Sequence, residues 1–243
     1  MIFHRTFRLQ LLDRIARLTL PCPVTTAKEH QYPWDLAELF PEPNSRISFV
    51  GYGSLINLIS ARRSFSEEAV GLARPVVVLG AKRIYEYVMS PRGRGVYGEG
   101  PSPGNYGVLN ARASSDPTDW FNGIEFELDI EAFRALHIRE SAYDLLPAWT
   151  VAWEHDHLVP HISYFLSCRR DTFGGRQTID STILPHPGYH AVCEDGCRAI
   201  SNEFLDAFRA STWVRNTRMI DSLHAEENRE PGDSTRSPGS SFR

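Results

Sequence analysis

The stretch ISFVGYGSLINL, residues 47–58, decides the fold. A largely apolar run, Ile47 to Val50, opens a segment, Ile47 to Gly51, that reads as a strand. It meets Gly51-Tyr52-Gly53-Ser54, and a helix-like pattern, Leu55 to Phe65, follows. The two glycines let the backbone turn tightly after the strand. Free N–H groups at the start of the next helix favour a small anion such as a carboxylate. The plain alternative is a strand-to-helix turn with Ser54 as N-cap. Nucleotide motifs fit poorly. A dinucleotide fingerprint needs a third glycine where Ile56 stands, and no lysine follows the loop as a Walker A motif requires. The G-x-S-x-G elbow of serine hydrolases fails too, because Gly53 directly precedes Ser54 and Ile56 takes the last glycine's place.

Outward from this loop, strand patterns fall at Pro75 to Gly80, Arg83 to Met89, Tyr106 to Ala113, Asn122 to Asp129, Trp149 to Trp153 and His161 to Leu166. In NGIEFELD, Ile124, Phe126 and Leu128 alternate with Glu125, Glu127 and Asp129, as on a half-buried strand. Helical patterns fall at Ile130 to Tyr143, Pro187 to Ala199 and Ser201 to Trp213. Strands cluster with few helices between them, which predicts an α+β fold rather than a doubly wound sheet. Residues 1–46 read as an N-terminal extension wrapping the core, opened by a basic, loosely amphipathic segment expected to be a docking helix. Residues 47–215 read as the domain. Residues 216–243, charged and rich in Pro, Gly and Ser, are expected to be a disordered tail.

The 243 residues carry 42% hydrophobic and 23% charged side chains and a net charge of -4, the profile of a globular protein. That charge gives no reason to expect nucleic acid or an anionic membrane as partner. Four cysteines are too few and too scattered for a disulfide framework, so a reducing, cytoplasmic setting is expected.

The segment DIEAFRALHIRESAYDLL, residues 129–146, carries the chemistry. Asp129 suits an N-cap, and Ile130, Phe133 and Leu136 mark one apolar helical face. Continuing from Phe133 by helical steps lands on His137 and Glu140. One reading is a carboxylate aimed inward as a general acid/base. The other is a surface pairing of Glu140 with Arg139 or His137 at a frayed helix end.

FVGYGSL (49–55) together with LHIRESAY (136–143) resembles the γ-glutamylcyclotransferase superfamily, closest to its ChaC-like and bacterial branches through Arg139-Glu140-Ser141-Ala142-Tyr143. VVVLGAKRIYEY (76–87), NGIEFELD and PHPGYHAVCEDGC (185–197) are similar to further family segments, in the same order. His137 and Ser141 depart from the commoner Asp and Gly of that pattern. The resemblance implies a mixed β-barrel flanked by helices and an enzyme that converts a γ-glutamyl amide to 5-oxoproline and a free amine. It implies Glu140 as catalytic acid/base, and Tyr52, Gly53, Ser54 and Leu55 as the cradle for the glutamyl group. Tyr143 and Tyr189 are implied to orient the substrate or Glu140. No cofactor and no metal are implied; the partner is a small γ-glutamyl molecule. A non-catalytic binding module retaining the pocket is the alternative. Which amine leaves, and whether the chain forms a homodimer, stay open.

His186, His190, Cys193 and Cys197 lack the tight C-x-x-C spacing of a zinc knuckle and read as ordinary helix residues. EHDHLVPH (154–161) reads as a polar turn between strands. Arg62-Arg63 and Arg169-Arg170 read as solvated charge; the alternative for Arg62 or Arg63, on the helix opened by the loop, is to face the pocket.

Overall fold

A computed structural model describes residues 18, 20–100, 105–154, 159–215 and 217–219. The docking helix expected near the start, most of the expected tail, and His155 and His157 lie outside the described residues.

The strands in chain order are β1 (Ile47–Gly51), β2 (Arg74–Leu79), β3 (Ala81–Val88), β4 (Tyr106–Ala113), β5 (Trp120–Leu128), β6 (Asp144–Ala152), β7 (His161–Ser167), β8 (Thr172–Phe173), β9 (Arg176–Gln177), β10 (Leu184–Pro185), β11 (Thr212–Val214) and β12 (Thr217–Arg218). The helices are α1 (Pro23–Thr26), α2 (Leu36–Leu39), α3 (Leu58–Ala61), α4 (Glu67–Gly71), α5 (Pro91–Tyr97), α6 (Ile130–Arg139), α7 (Pro187–Ile200) and α8 (Asn202–Ser211). The fold is α+β. Five strands close a barrel in the order β1-β5-β2-β6-β7, antiparallel except where β1 runs parallel to β7. A second sheet, β10-β4-β3-β11-β12, lies beside it. Strand pairing therefore runs past residue 216, where the sequence reading began the tail.

Side chains alternate between the barrel interior and its outer face along each strand. Phe121 and Phe165 meet inside, whereas Phe49 and Phe126, paired in register, lie on the outer face under Phe65, with Phe133 on Phe49. Phe49, Phe121, Phe126 and Phe165 are fully buried, each contributing about 1.5–3 kcal/mol by leaving water. Phe133 of α6 carries that core outward. Its ring meets Phe49 at 6.0 Å, Phe40 at 5.4 Å and Trp34 at 5.6 Å. This contact pins α6, and the turn that follows it, over one end of the barrel.

Several local expectations change. Glu125 is not on a wet face: it is 1% exposed, held by Arg74 at 2.6 Å, His161 at 2.7 Å and Ser163. Glu125 shares the barrel's inner face with Phe121, so its carboxylate reaches across to His161 and Ser163 on β7 as well as to Arg74 on the adjacent β2. The helix expected over Leu55 to Phe65 breaks into a 3-10 turn, Ser54–Ile56, and α3. Asn57 causes the break: its side chain accepts from the N–H groups of Ile59 and Ser60 and donates to Val192 of α7 at 3.3 Å. Gly196 lets α7 lie directly on this backbone; a Cβ there would stand 2.5 Å from the Asn57 nitrogen. Ser54 consequently is not an N-cap. α6 stops at Arg139 rather than Tyr143, and β6 begins at Asp144, earlier than the expected start at Trp149. α8 ends at Ser211, where Thr212–Val214 leaves to pair with β3.

No helix among the described residues is long and apolar enough to cross a membrane.

Candidate active site

The loop after β1 and the turn after α6 meet at a cleft of about 570 Å³ between the barrel and the second sheet. Ser54 and Leu55 line it from the loop, Glu140 and Tyr143 from the turn, Tyr87 from β3 and Tyr189 from α7. Two segments 85 or more positions apart are thus brought to one surface by β1–β5 pairing and by the seating of Phe133. The N–H groups of Ser54 and Leu55 meet no acceptor among the described residues.

Asp129 caps α6 by accepting from Ala132 N–H. At the other end the helix has already unwound at Glu140, whose φ of -107° and ψ of 48° leave helical space. Its N–H still donates to Leu136 at 2.9 Å, and its carbonyl accepts from Tyr143 at 3.2 Å. Glu140 therefore stands in a tight turn, not on the apolar face of the helix. Its carboxylate is 20% exposed and pairs with Arg139 at 2.6 Å. Arg139 also donates to Ser64 Oγ. The surface pairing anticipated for Arg139 is present, and it lies in the cleft wall.

The four cradle residues separate. Ser54 and Leu55 face the cleft, whereas the Tyr52 side chain does not. Its ring packs on Phe121 and Phe165 and its hydroxyl donates to the Leu166 carbonyl at 2.8 Å, inside the barrel. The Tyr52 side chain is thus a strut behind the loop, leaving its main chain for the expected cradle. Gly53 is required by Tyr189: a Cβ at position 53 would sit 2.1 Å from the tyrosine hydroxyl. Burial, reinforced by the Glu140 carboxylate, pushes the Tyr52 hydroxyl far above its ordinary value. Burial does the same for Tyr143, then Tyr87 beside it, and for Tyr189. All three stay protonated hydroxyls at neutral pH.

Tyr87 escaped the sequence reading. Tyr85 and Tyr87 are two apart and would share a strand face, but the register of β3 against β4 shifts between them. Tyr85 bonds His190 at 2.8 Å behind the site, while Tyr87 stacks on Tyr143 with centroids 4.9 Å apart. Arg92 and Arg176, also in the cleft wall, carry no sequence signal at all. Arg63 faces the cleft; Arg62 turns away to Glu67.

The N-terminal segment braces the back of this wall. Tyr32 N–H donates to Asp144 at 2.9 Å, and Asp144 also holds Arg169 and Arg170 at 2.9 Å each. His137 lies between Tyr32 and Trp34, at 4.9 and 5.0 Å. Its buried Nδ1 has no partner among the described residues, and burial lowers its pKa.

The histidines and cysteines weighed for a metal point to different surroundings. His186 caps α7 and contacts the Gly98 carbonyl at 2.9 Å, His190 meets Tyr85, and Cys193 and Cys197 are in the core. His161 opens β7, where the strand pattern from His161 to Leu166 begins.

No protein-family model matches this chain. No curated protein matches it either. Three solved structures are similar at low level. The uncharacterized protein loc79017 from Homo sapiens is 13% identical with a TM-score of 0.43, covering 73% of this chain and 97% of its own. YkqA from Bacillus subtilis is 12% identical with a TM-score of 0.49, over 71% of this chain and 56% of its own. At3g28950.1 from Arabidopsis thaliana is 15% identical with a TM-score of 0.35, over 81% and 96%.

Proposed function

We propose that this chain is a γ-glutamylcyclotransferase with the corresponding barrel fold, acting on a γ-glutamyl amide. One observation carries the reading: an ion-paired carboxylate, Glu140, shares a cleft with the unpaired N–H groups of Ser54 and Leu55. In this reading Glu140 serves as the proton acceptor and the two N–H groups as the oxyanion donors that ring closure requires.

In this reading Glu140 takes a proton from the substrate's α-ammonium. The freed amine attacks the γ-carbonyl, and negative charge developing on its oxygen is met by the loop N–H groups. The C–N bond to the leaving amine then breaks. Both protons lost from the α-nitrogen end on that amine, one relayed by Glu140, and it departs as an ammonium while the ring remains as 5-oxoproline. Attacker and target share one molecule, so holding them in a reactive conformer supplies much of the rate. Tyr143 and Tyr189, kept protonated, are positioned to orient the glutamyl end.

The second reading, a binding module without turnover, is favoured by the Glu140–Arg139 pair, which engages one of the carboxylate's oxygens. The test is 5-oxoproline release from a panel of γ-glutamyl compounds, glutathione included, by the wild-type chain and by Glu140→Gln. Release that the substitution abolishes supports the enzyme. Ligand binding without release by either protein supports the module.

A further inference from the structure

The wall beyond Glu140 is strongly cationic. Arg63, Arg92, Arg139 and Arg176 line the cleft against one carboxylate, Glu140. That reverses the bias of the whole chain, which holds 30 acidic and 26 basic residues. Among the described residues no carboxylate pairs with Arg63, Arg92 or Arg176, although salt bridges hold most other arginines. Gathering guanidiniums without counter-charges is unfavourable by like-charge repulsion unless a ligand supplies the charge.

A second hollow, of about 220 Å³, opens off this wall. Arg63, Ser64, Arg92 and Arg139 line both it and the main cleft, and Leu136 and Ile138 complete it with no acidic residue. Glu140 stands next to Arg139, so a glutamyl group held between the loop and Glu140 directs its amide toward these arginines. The planar fork of arginine matches a carboxylate with two parallel hydrogen bonds.

We propose that the leaving amine of the substrate carries two carboxylates, as in a γ-glutamyl acidic amino acid or peptide, and that Arg63 and Arg92 hold its acidic end in the side hollow. The inference rests on the cyclotransferase reading of the same cleft. It assigns a specificity role to two exposed arginines, with Arg139 shared between this subsite and Glu140.

γ-Glutamyl-glutamate and γ-glutamyl-glutamine differ by one charge at nearly constant shape. The expected ratio of their kcat/KM values is about tenfold in favour of the acidic compound at low ionic strength, where one charge-assisted contact is worth on the order of that factor. It narrows in 0.5 M salt as the exposed guanidiniums are screened. In the doubly substituted Arg63→Gln/Arg92→Gln chain, checked for an unchanged melting transition, the ratio falls toward one. In Arg63→Glu/Arg92→Glu the preference moves to γ-glutamyl-lysine, an outcome that a merely structural role would not produce. A wild-type ratio near one, or a ratio unmoved by the double substitution, overturns the proposal while leaving the cyclotransferase reading intact. If no compound yields 5-oxoproline, calorimetric titration of Glu140→Gln with both compounds decides. Tighter binding of the acidic one, lost with Arg63 and Arg92, sustains the subsite and sinks the catalytic reading; equal or undetectable binding sinks the subsite too.

Discussion

The indole N–H of Trp34 donates to the main-chain carbonyl of Tyr143 at 3.0 Å, across 109 residues of sequence. Tyr143 closes the turn that holds Glu140, so a side chain from the N-terminal segment fixes the geometry of the proposed acid/base. Trp34→Phe keeps most of the apolar contact with Phe133 and removes the donor, leaving a buried carbonyl unpaired. The expected loss is about 1–3 kcal/mol in denaturant unfolding. 5-Oxoproline release should fall through kcat more than KM, since the turn moves while the cleft keeps its lining.

Gly53 and Tyr189 form a steric pair that a double-mutant cycle can expose. Gly53→Ala brings a Cβ to 2.1 Å from the Tyr189 hydroxyl but to 3.4 Å from the ring carbon that bears it. The expected cost is about 1–3 kcal/mol of stability. Tyr189→Phe removes the clashing atom, so the double substitution should recover most of that loss. Simple additivity of the two single effects would refute the contact.

The Glu125–His161 pair predicts a pH window. The hydrogen bond to Glu125 raises the His161 pKa above 6.5 against the opposing effect of burial. Burial works to raise Glu125, but hydrogen bonds from His161, Ser163 and Arg74 hold it below 4.5. The histidine's contribution is full below about pH 6.5 and is lost as pH rises through its folded pKa. The carboxylate's is full above about pH 4.5 and is lost as pH falls through its folded pKa. Unfolding midpoints measured from pH 4 to 8 should therefore decline above about 6.5, and His161→Gln should flatten that limb.

Arg83 is a fully buried cation without an acidic partner among the described residues. It donates to the carbonyls of Asn122 at 2.5 Å and Phe208 at 2.9 Å, to Thr212 and Ser211, and sits 4.0 Å from the Phe208 ring centroid. Burial pulls its pKa down to about 10. Arg83→Met withdraws the guanidinium from the Asn122 main-chain and side-chain oxygens, while Thr212 still donates to the Phe208 carbonyl, and the expected loss is roughly 3 kcal/mol. A thermal midpoint within a degree of wild type would show that water replaces the guanidinium freely.

The sequence disclosed the strands best where apolar residues alternate without competition. β1 and β4 have the predicted bounds, and β5 was legible through Ile124, Phe126 and Leu128. It misled where a polar side chain is satisfied by distant partners. Glu125 reads as wet because nothing local reveals Arg74, His161 and Ser163. Asn57 looks like one polar residue on a helix, yet its capping bonds and the close approach of Gly196 split off the first turn and start the helix only at Leu58. Glu140 was legible as a residue and not as a geometry: helical spacing placed it on a face, whereas the chain unwinds beneath it. Tyr87, Arg92 and Arg176 reach the cleft through a strand irregularity and tertiary packing, which no periodicity encodes.

The bracing by Trp34 and Tyr32 has a consequence for biogenesis. These residues leave the ribosome before their docking partners Tyr143, Asp144 and Arg170 have been synthesised. At ~5–20 residues per second the delay is on the order of ten seconds. Through that interval the brace is an apolar ribbon with nothing to rest on, while the strand and loop at 47–55 can only await β5. The Glu140 turn is thus assembled from the earliest and the middle portions of translation, and it reaches its working shape only after the first-made segment folds back. A bulky fusion placed at the N-terminus should slow recovery of activity on refolding far more than it slows recovery of secondary structure.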